Sequence, residues 1–180
     1  RIITPQTIYT TLESGQSADI VPCQTHEASV YGSVRWRPHR NFEMDAGLRM
    51  SLFVNNRMWI KPEPRIMIAV PFGNDSRLWV VYNRTVQYLQ YVPQSNTGIA
   101  TDFIVAAALQ NPPQTSNNFS IGYSQTALGN CVSLSAELFY RQLYGVVENE
   151  TNLSAILTGN QRFDDALLSG MGEAYGMETG

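Results

Sequence analysis

The sequence predicts an all-β protein, an antiparallel β-sandwich of the jelly-roll type with about eight strands. Three observations lead there. Segments alternating between apolar and polar residues recur through the middle of the chain. Clusters of Asn, Gly, Pro and Asp punctuate them roughly every eight to twelve residues. Sustained helical periodicity is missing, which argues against an α/β fold.

Each element follows from its pattern. Residues 1–29 hold one β-like piece, Thr7 to Thr10, in a polar, turn-rich context and read as an N-terminal arm. The sandwich is expected over 30–145. Val30, Gly32, Val34 and Trp36 alternate with Tyr31, Ser33, Arg35 and Arg37, the pattern of a half-buried strand. Leu48, Met50, Leu52 and Val54 repeat it, and Asn55-Asn56 suits a turn into a returning strand over 57–61. Pro62 and Pro64 are expected to interrupt that ladder, because proline has no backbone donor. Ile66, Ile68, Val70 and Phe72 resume it, Leu78 to Tyr82 suits a central strand, and 85–92 a further one. Phe103 to Leu109 is read as strand on its β-branched and aromatic residues, and 111–118 as a polar connection before Phe119, Ile121 and Tyr123. The cleanest alternation is Val132, Leu134, Ala136, Leu138 and Tyr140 against Ser133, Ser135, Glu137, Phe139 and Arg141. Residues 146–180 are polar, acidic and glycine-bearing, and read as a C-terminal extension or tail.

Composition narrows the function. Hydrophobic residues make up 43% of the 180 and charged residues 15%, so much of the surface is uncharged and poorly protected by repulsion. Such a surface suits one covered by partners. The twelve basic residues are eleven Arg and one Lys, Lys61, and arginine is favoured where charges are packed or held in bidentate pairs. Between Tyr31 and Leu89 nine basic residues face four acidic ones, while 90–180 carry two basic and eight acidic, a polarity that suits contacts between subunits or internal pairing equally. No run approaches the roughly 20 apolar residues of a spanning helix, so a soluble chain with no membrane span is expected. Arg1 in place of Met is read as a sign of processing.

A catalytic constellation is not legible, and no enzyme, cofactor or metal site is expected. The two histidines, His26 and His39, lack a flanking nucleophile motif and the close-spaced ligand pairs that zinc requires. Glu43 with Asp45 precedes a strand, where acidic residues are ordinary. Arg35, Arg37 and Arg40, with Trp36 and His39 between them, form the densest basic patch and are the candidates for incidental nucleic-acid contact, in a chain whose net charge is −3. Cys23 and Cys131 can form a disulfide if the N-terminal segment packs beside a late strand; two isolated cysteines are more often free thiols. Asn-x-Ser/Thr triplets begin at Asn74, Asn83, Asn118, Asn149 and Asn152, too common in an Asn-rich chain to establish secretion.

The arm, the strands across 30–144, the final alternating strand and the tail resemble, in organisation, the single jelly-roll coat proteins of small icosahedral, picorna-like RNA viruses. The resemblance implies a structural capsid subunit that assembles with copies of itself or sibling coat proteins in the host cytoplasm and resides in the virion. Contact with packaged RNA is incidental on that view, and Phe53, Tyr91 and Phe139 become candidate subunit contacts. The competing expectation is an extracellular or cell-surface β-sandwich binding module that uses Trp36, Trp59 and Trp79 as stacking platforms.

Overall fold

The computed structural model describes residues 2–3, 25–55, 57–73, 75–92, 103–108, 111–127, 132–149 and 167–180. The strands are β1 (Ile2–Ile3), β2 (Thr25–His39), β3 (Phe42–Val54), β4 (Met58–Phe72), β5 (Ser76–Gln87), β6 (Leu89–Val92), β7 (Phe103–Ala106), β8 (Gln114–Ala127), β9 (Val132–Asn149) and β10 (Leu167–Thr179). Eight of them form one antiparallel sheet in the order β1-β2-β3-β4-β5-β8-β9-β10, and β6 and β7 form a separate hairpin inserted between β5 and β8. The all-β, antiparallel character is therefore present. The two stacked layers of a jelly roll are not found among the described strands: each long strand lies beside its neighbour in sequence, and the hairpin is the one excursion. Alternation marks two chemically different faces, and a sandwich and a single up-and-down sheet satisfy it equally.

Strand lengths depart from expectation for physical reasons. β4 runs unbroken through Pro62 and Pro64, which lie opposite Met50 and Leu48 of β3. The ladder between β4 and β5 covers only Arg65 to Phe72, so the prolines sit where β4 has a partner on one side only and their missing N–H is not needed. Beyond the end of that ladder the Val86 N–H donates instead to the Glu63 carboxylate at 3.3 Å. β5 stops at Gln87, so the strand expected over 85–92 breaks at Tyr88. β2 starts at Thr25, inside the expected arm, and residues 167–179 of the expected tail form a regular strand paired with β9 along its whole length.

The register sets what each face carries. One continuous row reads Val34, Ala46, Ile66, Tyr82, Phe119, Tyr140 and Tyr175 from β2 to β10. The next row toward the Gly73 turn reads Trp36, Met44, Ile68, Val80, Ile121, Leu138 and Met177. The opposite face, over the same strands, carries Arg35, Asp45, Met67, Val81, Ser120 and Phe139 in register, and beside them Ser33, Gly47, Arg65, Asn83, Asn118 and Arg141. The apolar face is the exposed one, whereas the most buried side chains, Phe53, Ser51 and Ala69, lie on the polar face. This polar face, where Tyr88 at the root of the β6–β7 hairpin lies over Phe53 and Ser51, is the inner face of the sheet.

Aromatic rings on this inner face lie across glycines of the next strand. The Trp79 indole covers the α-carbon of Gly122 opposite it, and the Phe139 ring covers Gly176 in the same way. A side chain at 122 would overlap the indole and force it out of its rotamer. Gly122→Val should therefore lower stability by about 1–3 kcal/mol in denaturant unfolding, the usual cost of overpacking. Gly32→Ala, with open space around its α-carbon, should change it by less than about 1 kcal/mol.

Candidate functional site

Two surfaces carry the chemistry of this sheet. The first is the outer face. Val30, Val34, Trp36, Leu48, Ile60, Ile66, Ile68, Val70, Leu78, Val80, Phe119, Ile121, Leu134, Leu138 and Met177 are all exposed there, a continuous patch far beyond the scattered apolar residues of an ordinary surface. Its chemistry changes in layers along the strands. Aliphatic rows occupy the middle, the aromatic row Tyr82, Phe119, Tyr140 and Tyr175 follows, and the next row is Arg84, Asn117, Gln142 and Glu173. Tyr82 and Phe119 are in ring contact at 4.8 Å, and the Tyr82 hydroxyl donates to Asn117 Oδ1 at 3.3 Å, toward the polar row. Amphipathic rings thus stand with their apolar bodies against the aliphatic rows and their polar ends away from them.

The second surface is the inner wall, which is polar and cross-linked by charge. Glu43 receives Arg37 at 2.6 Å, Arg77 at 3.4 Å and Arg35 at 3.7 Å, and Arg35 also holds Asp45 at 3.2 Å. Arg49 lies between Glu27 and Glu63, at 3.5 and 3.8 Å. Asn118 donates to Asn83 at 2.8 Å and accepts from Arg141 at 2.6 Å, a polar ladder across β5, β8 and β9. A groove of about 510 Å³ runs along this wall between Thr85, Gln114, Arg141 and Leu143.

At one end the wall is bridged by the β6–β7 hairpin. Tyr88 turns inward and stacks on Phe53 with ring centroids 4.8 Å apart and planes 2° from parallel. Its hydroxyl shares a 2.7 Å hydrogen bond with the Ser51 hydroxyl, both residues being buried. Asn55, at the β3–β4 turn, donates to the Ala107 carbonyl at 2.7 Å, and Ala107 N–H donates to the Tyr88 carbonyl at 2.8 Å. On the far side, Gln90 donates to the Gly145 carbonyl at 3.0 Å and accepts from the Val147 N–H at 3.2 Å. Gly145, at φ 70°, is skipped by the β9–β10 ladder, which passes from Tyr144–Met171 to Val146–Gly170. The bulge turns backbone groups out of the ladder, and the Gln90 amide satisfies them.

The residues singled out from sequence fall in different places. Arg35 and Arg37 are engaged with carboxylates on the inner wall, and Arg40 is exposed in the short turn between β2 and β3, so the three do not form one free cationic patch. Cys23 and Cys131 lie outside the described residues. Glu43 and Asp45 serve as arginine partners. Of the expected subunit contacts, Phe53 is among the most buried side chains and Phe139 lies on the inner wall, while Tyr91 is exposed on the hairpin. The tryptophans do not gather into a platform: Trp36 is on the outer face, Trp59 lies on the inner face between Arg57 and Lys61, and Trp79 covers Gly122. Sequence reading missed Tyr88 and Gln90, whose partners are remote in sequence. It also missed the aromatic row, although aromatics at the same depth in successive alternating segments are a usable signal.

No family model matches this chain, and no curated protein does. Among solved structures, the alcaligin outer membrane receptor FauA from Bordetella pertussis is similar in fold, with a TM-score of 0.57 and 15% sequence identity over 87% of this chain. The chain spans about a quarter of that receptor's length, 27%.

Burial raises the Tyr88 phenol above its ordinary value of 10.0, against which the Ser51 bond works. A raised phenol stabilises the fold while neutral, and that contribution is lost as pH climbs past the unfolded value. Tyr88→Phe should cost about 1 kcal/mol at neutral pH by leaving Ser51 short of a partner, and should remove part of the alkaline destabilisation. Unfolding curves for both chains from neutral pH to above 10.0 measure this.

Proposed function

We propose that this chain is a section of the wall of a membrane-spanning β-barrel of the outer-membrane receptor or transport class, with its apolar face toward lipid and its charged face toward the interior. The layered outer face carries this reading: aliphatic rows bounded by the register-aligned row Tyr82, Phe119, Tyr140 and Tyr175 and then by polar residues. Lipid-facing strands show that sequence of layers, an apolar band closed by an aromatic girdle, with polar residues alternating toward the lumen. Along β4, whose Ile66 lies in the row of Tyr82, the outward positions are uncharged on both sides of that row, from Ile60 to Val70. They cover about 33 Å of strand, or about 25 Å of height at a tilt near 40°.

Connectivity supports the same reading. The connections beside Arg40 and Gly73 and between β8 and β9 are short, while the opposite end carries, beside the short β3–β4 turn, the long ones across 4–24, 88–113 and 150–166. Outer-membrane barrels pair short turns on one side with longer loops on the other. Among the described residues β10 is paired on one side only, so on this reading further strands close the wall and satisfy its backbone. No helix among the described residues is long and apolar enough to cross a membrane, a criterion that spanning strands do not have to meet.

The capsid expectation requires apolar residues enclosed between two sheets. Here they stand on the open side of one sheet and the packed layer is on the polar side, which favours the barrel over the coat subunit. In the full-length protein, Ile121→Arg should reduce stable membrane insertion, at a cost of about 2–4 kcal/mol for a charge near mid-membrane. Ser120→Arg, one residue away on the inner wall, should be tolerated. Recovery in the membrane fraction and heat-modifiable migration measure both, and equal behaviour of the two variants would defeat the proposal.

A further inference from the structure

The hairpin gives the interior a shape that the wall alone would not have. Its anchors lie on β3 and β9, strands separated in the sheet by β4, β5 and β8, so it bridges four interstrand spacings, about 19 Å of wall. Tyr88 and Gln90, the two residues that tie it down, are 3% and 6% exposed. At the β3 end the ties are a ring stack, the Ser51 hydroxyl bond and the Asn55 bond to Ala107. At the β9 end they are the two Gln90 bonds at the Gly145 bulge, where the approach is close enough that a Cβ on Gly145 would lie 3.2 Å from the carbonyl oxygens of Pro112 and Pro113. Buried polar ties of this kind cost their full desolvation when broken, so the hairpin is held in place in the resting protein.

We infer that the β6–β7 hairpin is a fixed strap that narrows the interior of the barrel beside this wall, at the end with the long connections, and confines solute passage to the space on its far side. The inference rests on the barrel reading. It assigns Tyr88 and Gln90 as positioning residues for the strap, and Tyr91, 65% exposed, as a side chain the strap leaves open to solvent.

Planar-bilayer conductance of the full-length protein in potassium chloride tests it. Three chains are compared: the wild type, a variant in which residues 89–106 are replaced by a short Gly-Ser turn, and the double variant Tyr88→Ala with Gln90→Ala, which keeps the chain length. Shortening the hairpin should raise single-channel conductance at least about twofold by removing the constriction, and the anchor variant should raise it by less and with larger open-channel noise. If the shortened chain does not assemble, the anchor variant carries the comparison. Equal conductance across wild type and variants that insert, whether large or nil, overturns the strap and leaves the barrel standing. Failure of the wild type itself to enter bilayers or migrate as a heat-modifiable barrel overturns both.

Discussion

Register is the constraint on which everything else in this protein depends. Side chains alternate with a period of two, so the pairing of seven long strands decides which residues share a face, and a slip of one residue would put Arg35, Asp45 and Arg65 among the aliphatic rows. The ladders hold the same correspondence from Trp36 through Met44, Ile68, Val80, Ile121 and Leu138 to Met177. The ion pairs around Glu43 reinforce it, since they form only when β2, β3 and β5 sit in that alignment. As partly exposed pairs each contributes little to stability, so their larger role is to penalise the wrong alignment.

Where alternation was clear, the strands were legible. Val30 to Trp36, Leu48 to Val54, Ile66 to Phe72 and Val132 to Tyr140 all lie in strands that contain those residues. What the pattern does not contain is which face meets water. The familiar assumption that the apolar side turns inward led to a two-layer sandwich and to Phe53 as a surface residue, whereas Phe53 is buried beside Tyr88 on the polar side. Both arrangements satisfy the hydrophobic effect, one by burying apolar groups in protein and the other, on the barrel reading proposed above, by presenting them to an apolar surrounding.

The remaining misses have local causes. Pro62 and Pro64 read as breaks because a proline argues against a central strand, and the exception depends on β5 parting from β4 at Arg65, a tertiary fact. The last strand resembles a tail in sequence because its stretch is polar and acidic and Gly170, Gly172 and Gly176 weaken intrinsic strand preference. One of those glycines is the seat of the Phe139 ring, and the ring replaces the packing that the missing side chain would have supplied. Gln90 carries no signal at all in the sequence, since its role is created by a bulge fifty-five residues away.

The parting of β4 from β5 gives this wall a seam. From Pro64 to the hairpin the two strands share no ladder, and the Glu63 carboxylate on the Val86 N–H spans the gap. Glu63 is itself held by Arg49, so the fastening is ionic where the rest of the sheet is peptide to peptide. Local opening follows the fewest bonds, and among the seven long strands the shortest ladder, and so the least costly to unzip, is the one inside the sheet between β4 and β5, next to the root of the hairpin. The sheet is thus most lightly laced, among its long strands, along the line from which the hairpin springs.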